Sequence, residues 1–384
     1  MSELTARALT ILERLVGFDT VSRNSNLPLI DYVRGYLAEH DIPHVVLPSE
    51  DGTKANIFAT IGPPDRHGIL LSGHTDVVPV DGQNWSRDPF VLARDGERLY
   101  GRGTTDMKGY VACMLAVAPE LRRAELSAPV HLAISYDEEV GCLGVHGIVA
   151  HMRAAGLRPT AALIGEPSRH GIVNGHKGSA GLLTRVGGLS GHSSRPERGV
   201  NSIFHAAEVV AWLRARGDAL AAAPDSEGVF DPPFTTISVG TIHGGSARNA
   251  IPGDCRIEWD IRATRPGIIA EILQELESHV QAGVLPNMRA RYAGAFVETD
   301  ALFDVPPLLP EPGCAAEALA KSLTGANSVG TVAYASEAGV FQQAGIPSVI
   351  CGPGDIAQAH TADEWIEVGQ IADCLAVLQR LVPR

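Results

Sequence analysis

The chain has 384 residues, 45% of them hydrophobic and 20% charged, a composition that describes a folded globular protein with more than one core. Its 31 Lys and Arg against 44 Asp and Glu leave a formal charge of −13, which argues against nucleic acid or an anionic membrane as the main partner. No apolar stretch reaches bilayer length, and the six cysteines (113, 142, 255, 314, 351 and 374) are scattered without a CxxC pair. Reduced thiols in a cytoplasm are therefore expected, not a disulfide frame.

Near the start, Glu3 and Glu13 accompany Leu4, Ala8, Leu12 and Leu15 on one helical face, which reads as an amphipathic helix and not as a targeting segment. Strands are expected at 56–61, 68–74, 129–136 and 161–164, with helices at 106–123 and 144–155. Continuous apolar runs such as GILLSGH and AALIGE suit a sheet covered by helices on both faces. The middle of the chain changes rhythm. It reads strand 180–186, helix 200–216, strands 235–242 and 254–261, helix 267–282 and strand 289–296, with an exposed loop at 221–233. The first theme then resumes: helix 311–323, strand 330–333, helix 336–344, strand 348–351, and a last helix carrying Val368, Ile371, Leu375 and Leu378. The expected fold is α/β: a mixed-sheet α/β/α domain formed by residues 1–177 and 295–384. A smaller β-α-β-β-α-β sandwich, residues 178–294, is inserted into it.

Five segments each end a strand, or open the helix after it, with groups that bind metals, at the edge where open α/β sheets form sites. In Gly73-His74-Thr75-Asp76, residues two apart share a strand face, so Asp76 can reach the ring nitrogen of His74 that is turned away from a metal. Taken alone, such a histidine is more often a satisfied core residue. Gly101–Gly109 (GRGTTDMKG) has glycines suited to a phosphate cradle, but Asp106 in its midst would repel phosphate and suits a bridge between two cations. Asp137-Glu138-Glu139 follows an apolar strand; it is either a solvated helix start or a pair of carboxylates that divide cation binding from proton transfer. Glu166, in Gly165-Glu166-Pro167, and His360, after Gly352-Pro353-Gly354, complete a donor set of His74, Asp106, Glu139, Glu166 and His360. Mixed imidazole and carboxylate donors favour zinc or a first-row neighbour such as cobalt over magnesium or calcium.

The motifs SGHTDVVPV, GRGTTDMKGY, DEEVG, GEP and AHTADE stand in the order found in the aminoacylase and carboxypeptidase G-type dinuclear metallohydrolases, and the resemblance spans nearly the whole chain. The CGPG…QAH..DE ending and Tyr334-Ala335-Ser336-Glu337-Ala338 look most like that family's acetylornithine deacetylase branch. The resemblance implies that His74, Asp106 and Glu166 hold one ion while Asp106, Glu139 and His360 hold the other. It implies that Glu138 is the general base, that Asp76 orients His74, and that the Asp106–Met107 peptide is cis. In the inserted domain, His192 resembles an oxyanion-stabilising histidine, often contributed by a partner subunit, and Asn249 and Arg262 resemble residues that grip the substrate carboxylate. Gly352 in the GPG segment is expected to contact substrate, while Glu337 and Asp355 either meet the side-chain amine of an ornithine-like substrate or are simply solvated acids. Gly191 stands where the family usually has alanine, and Asp355 where a small hydroxyl residue is common.

The expected activity is hydrolysis of the amide of a small-molecule N-acyl amino acid, foremost N2-acetyl-L-ornithine to L-ornithine and acetate in arginine biosynthesis, by a cytoplasmic homodimer. Succinyl-diaminopimelate desuccinylation, another N-acyl amino acid hydrolysis and a non-catalytic metal-binding scaffold stand as alternatives.

Overall fold

The computed structural model describes residues 2–225 and 228–383, and these form two compact units. One comprises the described residues of 2–175, 308–331 and 336–383; the other comprises those of 176–307 and 332–335. Within the expected loop at 221–233, Ser226 and Glu227 lie outside the described residues. Among the described residues no helix is long and apolar enough to cross a membrane. All six cysteines are free thiols.

The larger unit is built on a mixed eight-stranded sheet. Its order is His44–Pro48, Ala55–Ile61, Val130–Ser135, Ile69–His74, Ala161–Pro167, Ser348–Gly352, Ile172–His176 and Val329–Val332. The four central strands, from Val130–Ser135 to Ser348–Gly352, run parallel to one another, so their carboxyl ends share one edge. Strands 55–61, 130–135 and 161–167 are almost wholly buried, as continuous apolar runs covered on both faces must be.

Helix Lys108–Arg123 buries nearly every side chain, and its residues join those of helices Glu3–Val16 and Val368–Gln379 in one core. Leu4, Ala8, Leu12 and Leu15 are buried, as an amphipathic face at helical spacing requires. Gly165 lets this helix approach the sheet: a Cβ there would stand 2.0 Å from the Tyr110 ring.

The smaller unit has an antiparallel sheet in the order Thr236–Gly244, Asp254–Ala263, Gly178–Gly187, Phe296–Val305. Along Asp254–Ala263 every second residue is buried (Cys255, Ile257, Trp259, Ile261, Ala263), and helices Ser202–Ala222 and Ile268–His279 supply the rest of this core.

One expected strand is corrected. The strand expected at 289–296 lies later in the chain: Leu285–Arg289 is helical and the strand is Phe296–Val305. Leu285 and Met288 are buried three residues apart on a helix, whereas Phe296–Val305 fully buries only Val297 and Val305. The smaller unit accordingly runs to Pro307.

A three-stranded sheet not expected from the sequence, Trp365–Glu367, Arg98–Tyr100 and Ala93–Asp95, pairs Trp365 with Tyr100. It brings the segment after Tyr100 against the segment before Trp365. There Glu364 is 1% exposed and accepts bonds from the amides of Gly103, Thr105 and Asp106 at 3.0, 2.8 and 3.1 Å and from Arg102 Nη1 at 2.8 Å. Replacing Glu364 by Gln leaves the buried Arg102 charge unpaired and is expected to cost about 3–5 kcal/mol of stability. Thermal unfolding followed by circular dichroism checks this, and an unchanged midpoint contradicts it.

Candidate metal centre

Strand Ile69–His74 ends with Ser72 and His74 on the same face, both buried. His74 Nδ1 is 2.9 Å from the backbone carbonyl of Asp76 and 3.5 Å from its carboxylate, which leaves Nε2 facing Asp106 Oδ1 at 3.1 Å and Glu166 Oε1 at 3.8 Å. The other oxygen of Asp106 lies 3.2 Å from His360 Nε2, and that nitrogen is 3.1 Å from Glu139 Oε2. Asp106 thus turns one oxygen toward each histidine, the arrangement of a carboxylate that bridges two cations. The Asp106–Met107 peptide is cis.

Two groups of donors lie close enough to share an ion: His74 with Asp106 and Glu139, and His74 with Glu138 and Glu166. All five expected ligands, together with Glu138, therefore come to one sheet edge. Electrostatics explain what they lack. Burial, with Asp106 beside them, pushes Glu166 well above the carboxylate range and Glu139 up to about 7. Burial also raises Glu138 well above its ordinary value, with Glu139 and Asp106 adding to the effect against His74. The histidines move the other way. Hydrogen bonds to Asp106 and Glu139 raise His360 to about 11, while His74, despite its burial, is raised by Asp106 and Asp76. Raised imidazoles beside raised carboxylates mark a site with a demand for positive charge. Glu166 Oε1 is buried without a hydrogen-bond partner, and an ion between it and His74 would give it one. The residues present fit a pair of divalent cations.

The loop that carries Glu138 and Glu139 is fixed from below by Asp76, whose carboxylate accepts the amides of both at 3.0 and 3.3 Å and the Ser22 hydroxyl at 2.7 Å. Asp76 thus contacts the 138–139 loop as well as His74. Asp137 pairs with Lys54 at the start of the same loop. Neither Ser22 nor Lys54 belongs to a motif, and no sequence signal marks them; Glu364 lies inside a quoted motif, but nothing in its spacing reveals that it caps the Asp106 loop.

Three residues expected at the substrate have protein partners. Glu337, at the start of helix Glu337–Gln343, is 1% exposed and accepts a hydrogen bond from Ser72 at 2.9 Å; it is a buried charge and not a group at a pocket rim. Gly352 donates its amide to Ser168 Oγ at 3.1 Å and accepts from the His170 amide at 2.8 Å, so its polar groups are taken. A Cβ on Gly352 would stand 2.0 Å from Gly165 O, and its role is to let the strand ending in Glu166 pack closely. Asp355 is paired with Arg169 at 2.6 Å.

In the smaller unit, His192 and Ala250 face each other on a two-stranded ribbon, and the carbonyl of Asn249 accepts from the Ser193 amide at 3.1 Å. His192 Nδ1 accepts from the Ser194 amide at 3.2 Å, which puts the proton of a neutral ring on Nε2, free to donate. Arg262 lies on strand Asp254–Ala263 with its Nε 3.0 Å from Asp260.

A family model described as peptidase family M20/M25/M40 matches residues 70–384. The chain is 34% identical over 382 residues to an acetylornithine deacetylase of Pectobacterium atrosepticum, covering 98% of this chain and 95% of the relative. It is equally 34% identical, over 397 residues, to an acetylornithine deacetylase of Myxococcus xanthus, covering 100% and 98%. Among solved structures, an M20 family metallo-carboxypeptidase from Sulfolobus solfataricus shares the fold with a TM-score of 0.76 at 18% identity, over 100% of this chain and 99% of that one. A dinuclear metal binding peptidase of the M20 family from Bacillus subtilis aligns with a TM-score of 0.67 at 16% identity, over 99% and 97%. The chain belongs to peptidase family M20/M25/M40.

Proposed function

We propose that this protein hydrolyses the amide bond of N-acyl amino acids with two divalent metal ions, and that its substrate is N2-acetyl-L-ornithine, released as L-ornithine and acetate. The observation that carries the chemistry is the convergence of His74, Asp106, Glu138, Glu139, Glu166 and His360, with more buried carboxylate than their two imidazoles offset. Support for the substrate comes from relatives at 33–34% identity that are acetylornithine deacetylases along nearly their whole length.

His74, Asp106 and Glu166 would hold one ion and Asp106, Glu139 and His360 the other, with zinc or cobalt best suited to the donors. When bound, such ions polarise the scissile carbonyl and acidify water. Glu138 takes the proton of the attacking water and delivers it to the departing amine nitrogen. Asp76 holds the amide of Glu138 and the ring of His74 in one frame, so base and ligand keep a fixed separation. We assign His192 Nε2–H to the developing oxyanion and Arg262 with Asn249 to the α-carboxylate. A homodimer is in keeping with the edge strand Thr236–Gly244 and with exposed Phe204, Ile203 and Ile242 on the same unit. The reading places the enzyme in the cytoplasm, in arginine biosynthesis.

Glu138→Gln is expected to lower kcat by about 10²–10⁴-fold while two ions remain bound per chain, measured by steady-state kinetics and metal analysis. Normal turnover in that variant removes Glu138 from the mechanism. His192→Ala is expected to lower kcat by about 10²–10³-fold with KM little changed; an unchanged rate rejects the oxyanion role. A panel of N-acetylornithine, N-succinyl-diaminopimelate and simple N-acetyl amino acids, run with chelator and then with zinc or cobalt restored, tests substrate and metal together. N-acetylornithine should be turned over fastest, and only with metal; preference for the succinyl compound overturns the substrate assignment. Light scattering should give twice the chain mass, and a monomer at micromolar concentration rejects the dimer.

A further inference from the structure

We infer that Cys142 is a positioning residue for Glu138: its thiol holds one oxygen of that carboxylate and leaves the other to carry the proton. The inference rests on the reading of Glu138 as the proton carrier. Cys142 Sγ donates to Glu138 Oε1 at 3.5 Å, one turn further along the same loop. Among the described residues, this thiol is the one hydrogen-bond donor that reaches the Glu138 side chain. Asp76 fixes the backbone of Glu138 through its amide, but it leaves the carboxylate free to rotate about its side-chain bonds.

The backbone carries a second, independent observation. Cys142 has φ +55°, a left-handed conformation that glycine adopts without strain and cysteine does not. The preceding Gly141, at φ +113°, already provides the permissive residue of this turn. The turn itself is closed by main-chain bonds that need no side chain at 142: Gly141 and Cys142 donate to the Glu138 carbonyl at 3.0 and 2.9 Å, and Leu143 to Asp137 at 3.0 Å. A strained residue whose side chain the turn does not require is retained for what the side chain touches. Here that is the base. A thiol is a suitable holder because it is a weak donor, so it fixes direction without drawing much charge from the carboxylate. Burial, with Glu138 beside it, holds the thiol above its ordinary range, so it keeps its proton at neutral pH. At 2% exposure it is also shielded from solvent.

The test compares the full chain with Cys142→Ala and Cys142→Ser, each loaded with metal. Loss of the donor should lower kcat about tenfold with KM within about twofold and metal content unchanged, and serine, which keeps a donor, should restore most of the rate. Equal impairment of the serine and alanine variants, or a wild-type kcat in the alanine variant, overturns the inference. Infrared difference spectra between the wild type and Cys142→Ala isolate the S–H stretch of this thiol, and the band should move when Glu138→Gln is introduced. This measurement needs no substrate. A band that ignores Glu138→Gln overturns the contact itself, whereas a wild type that hydrolyses no N-acyl amino acid overturns the proposed function and leaves the spectroscopic answer standing.

Discussion

Four carboxylates, those of Asp106, Glu138, Glu139 and Glu166, are crowded at one sheet edge with only two imidazoles among them. Even with both rings protonated, the cluster is short of positive charge, and like charges within a few ångströms in a buried place raise one another's pKa. That imbalance cannot persist in a stable fold without either bound protons or bound cations. The rest of the unit is arranged to hold the carboxylates against their mutual repulsion. Asp76 and Ser22 tie down the strand 69–74 edge and the loop of 138–139, while Glu364 and Arg102 tie down the loop of Asp106.

The two anchors are themselves charged, and each acts through backbone amides. Asp76 collects the amides of Glu138 and Glu139, and Glu364 collects those of Gly103, Thr105 and Asp106. A carboxylate that accepts several amides is stabilised in its charged form, which offsets the cost of burying it. Ligand loops are thereby fixed by their main chains, and the ligand side chains stay free to meet an ion. Preorganisation of this kind is what a hydrolytic centre needs, since the geometry is set before substrate arrives.

Much of this could be read directly from residue order. The apolar runs at 69–74, 130–135 and 161–164 identify buried strands, and the polar groups that end them, His74, Asp137-Glu138-Glu139 and Glu166, point to the site edge. Other features were illegible for definite reasons. The strand Phe296–Val305 is mostly exposed, with only Val297 and Val305 fully buried, so no apolar run marks it. The sheet of 93–95, 98–100 and 365–367 has strands of three residues, too short for any periodicity to register. Glu337 looks like a free acid at a helix start, and only its position under Ser72 reveals that it is buried.

The sequence by itself determined the class of chemistry, because imidazole and carboxylate types at strand ends limit what a site can bind, whatever the exact path of the chain. It also determined the alternation of strand and helix, since burial on two faces or one leaves a local pattern. Tertiary structure alone decided which oxygen of Asp106 meets which histidine, that Asp76 serves the 138–139 loop as well as His74, and that Gly352 is a packing residue. The reason is distance along the chain. Asp106 and His360 are joined through strand pairing between residues 98–100 and 365–367, and no local pattern in either segment encodes its partner.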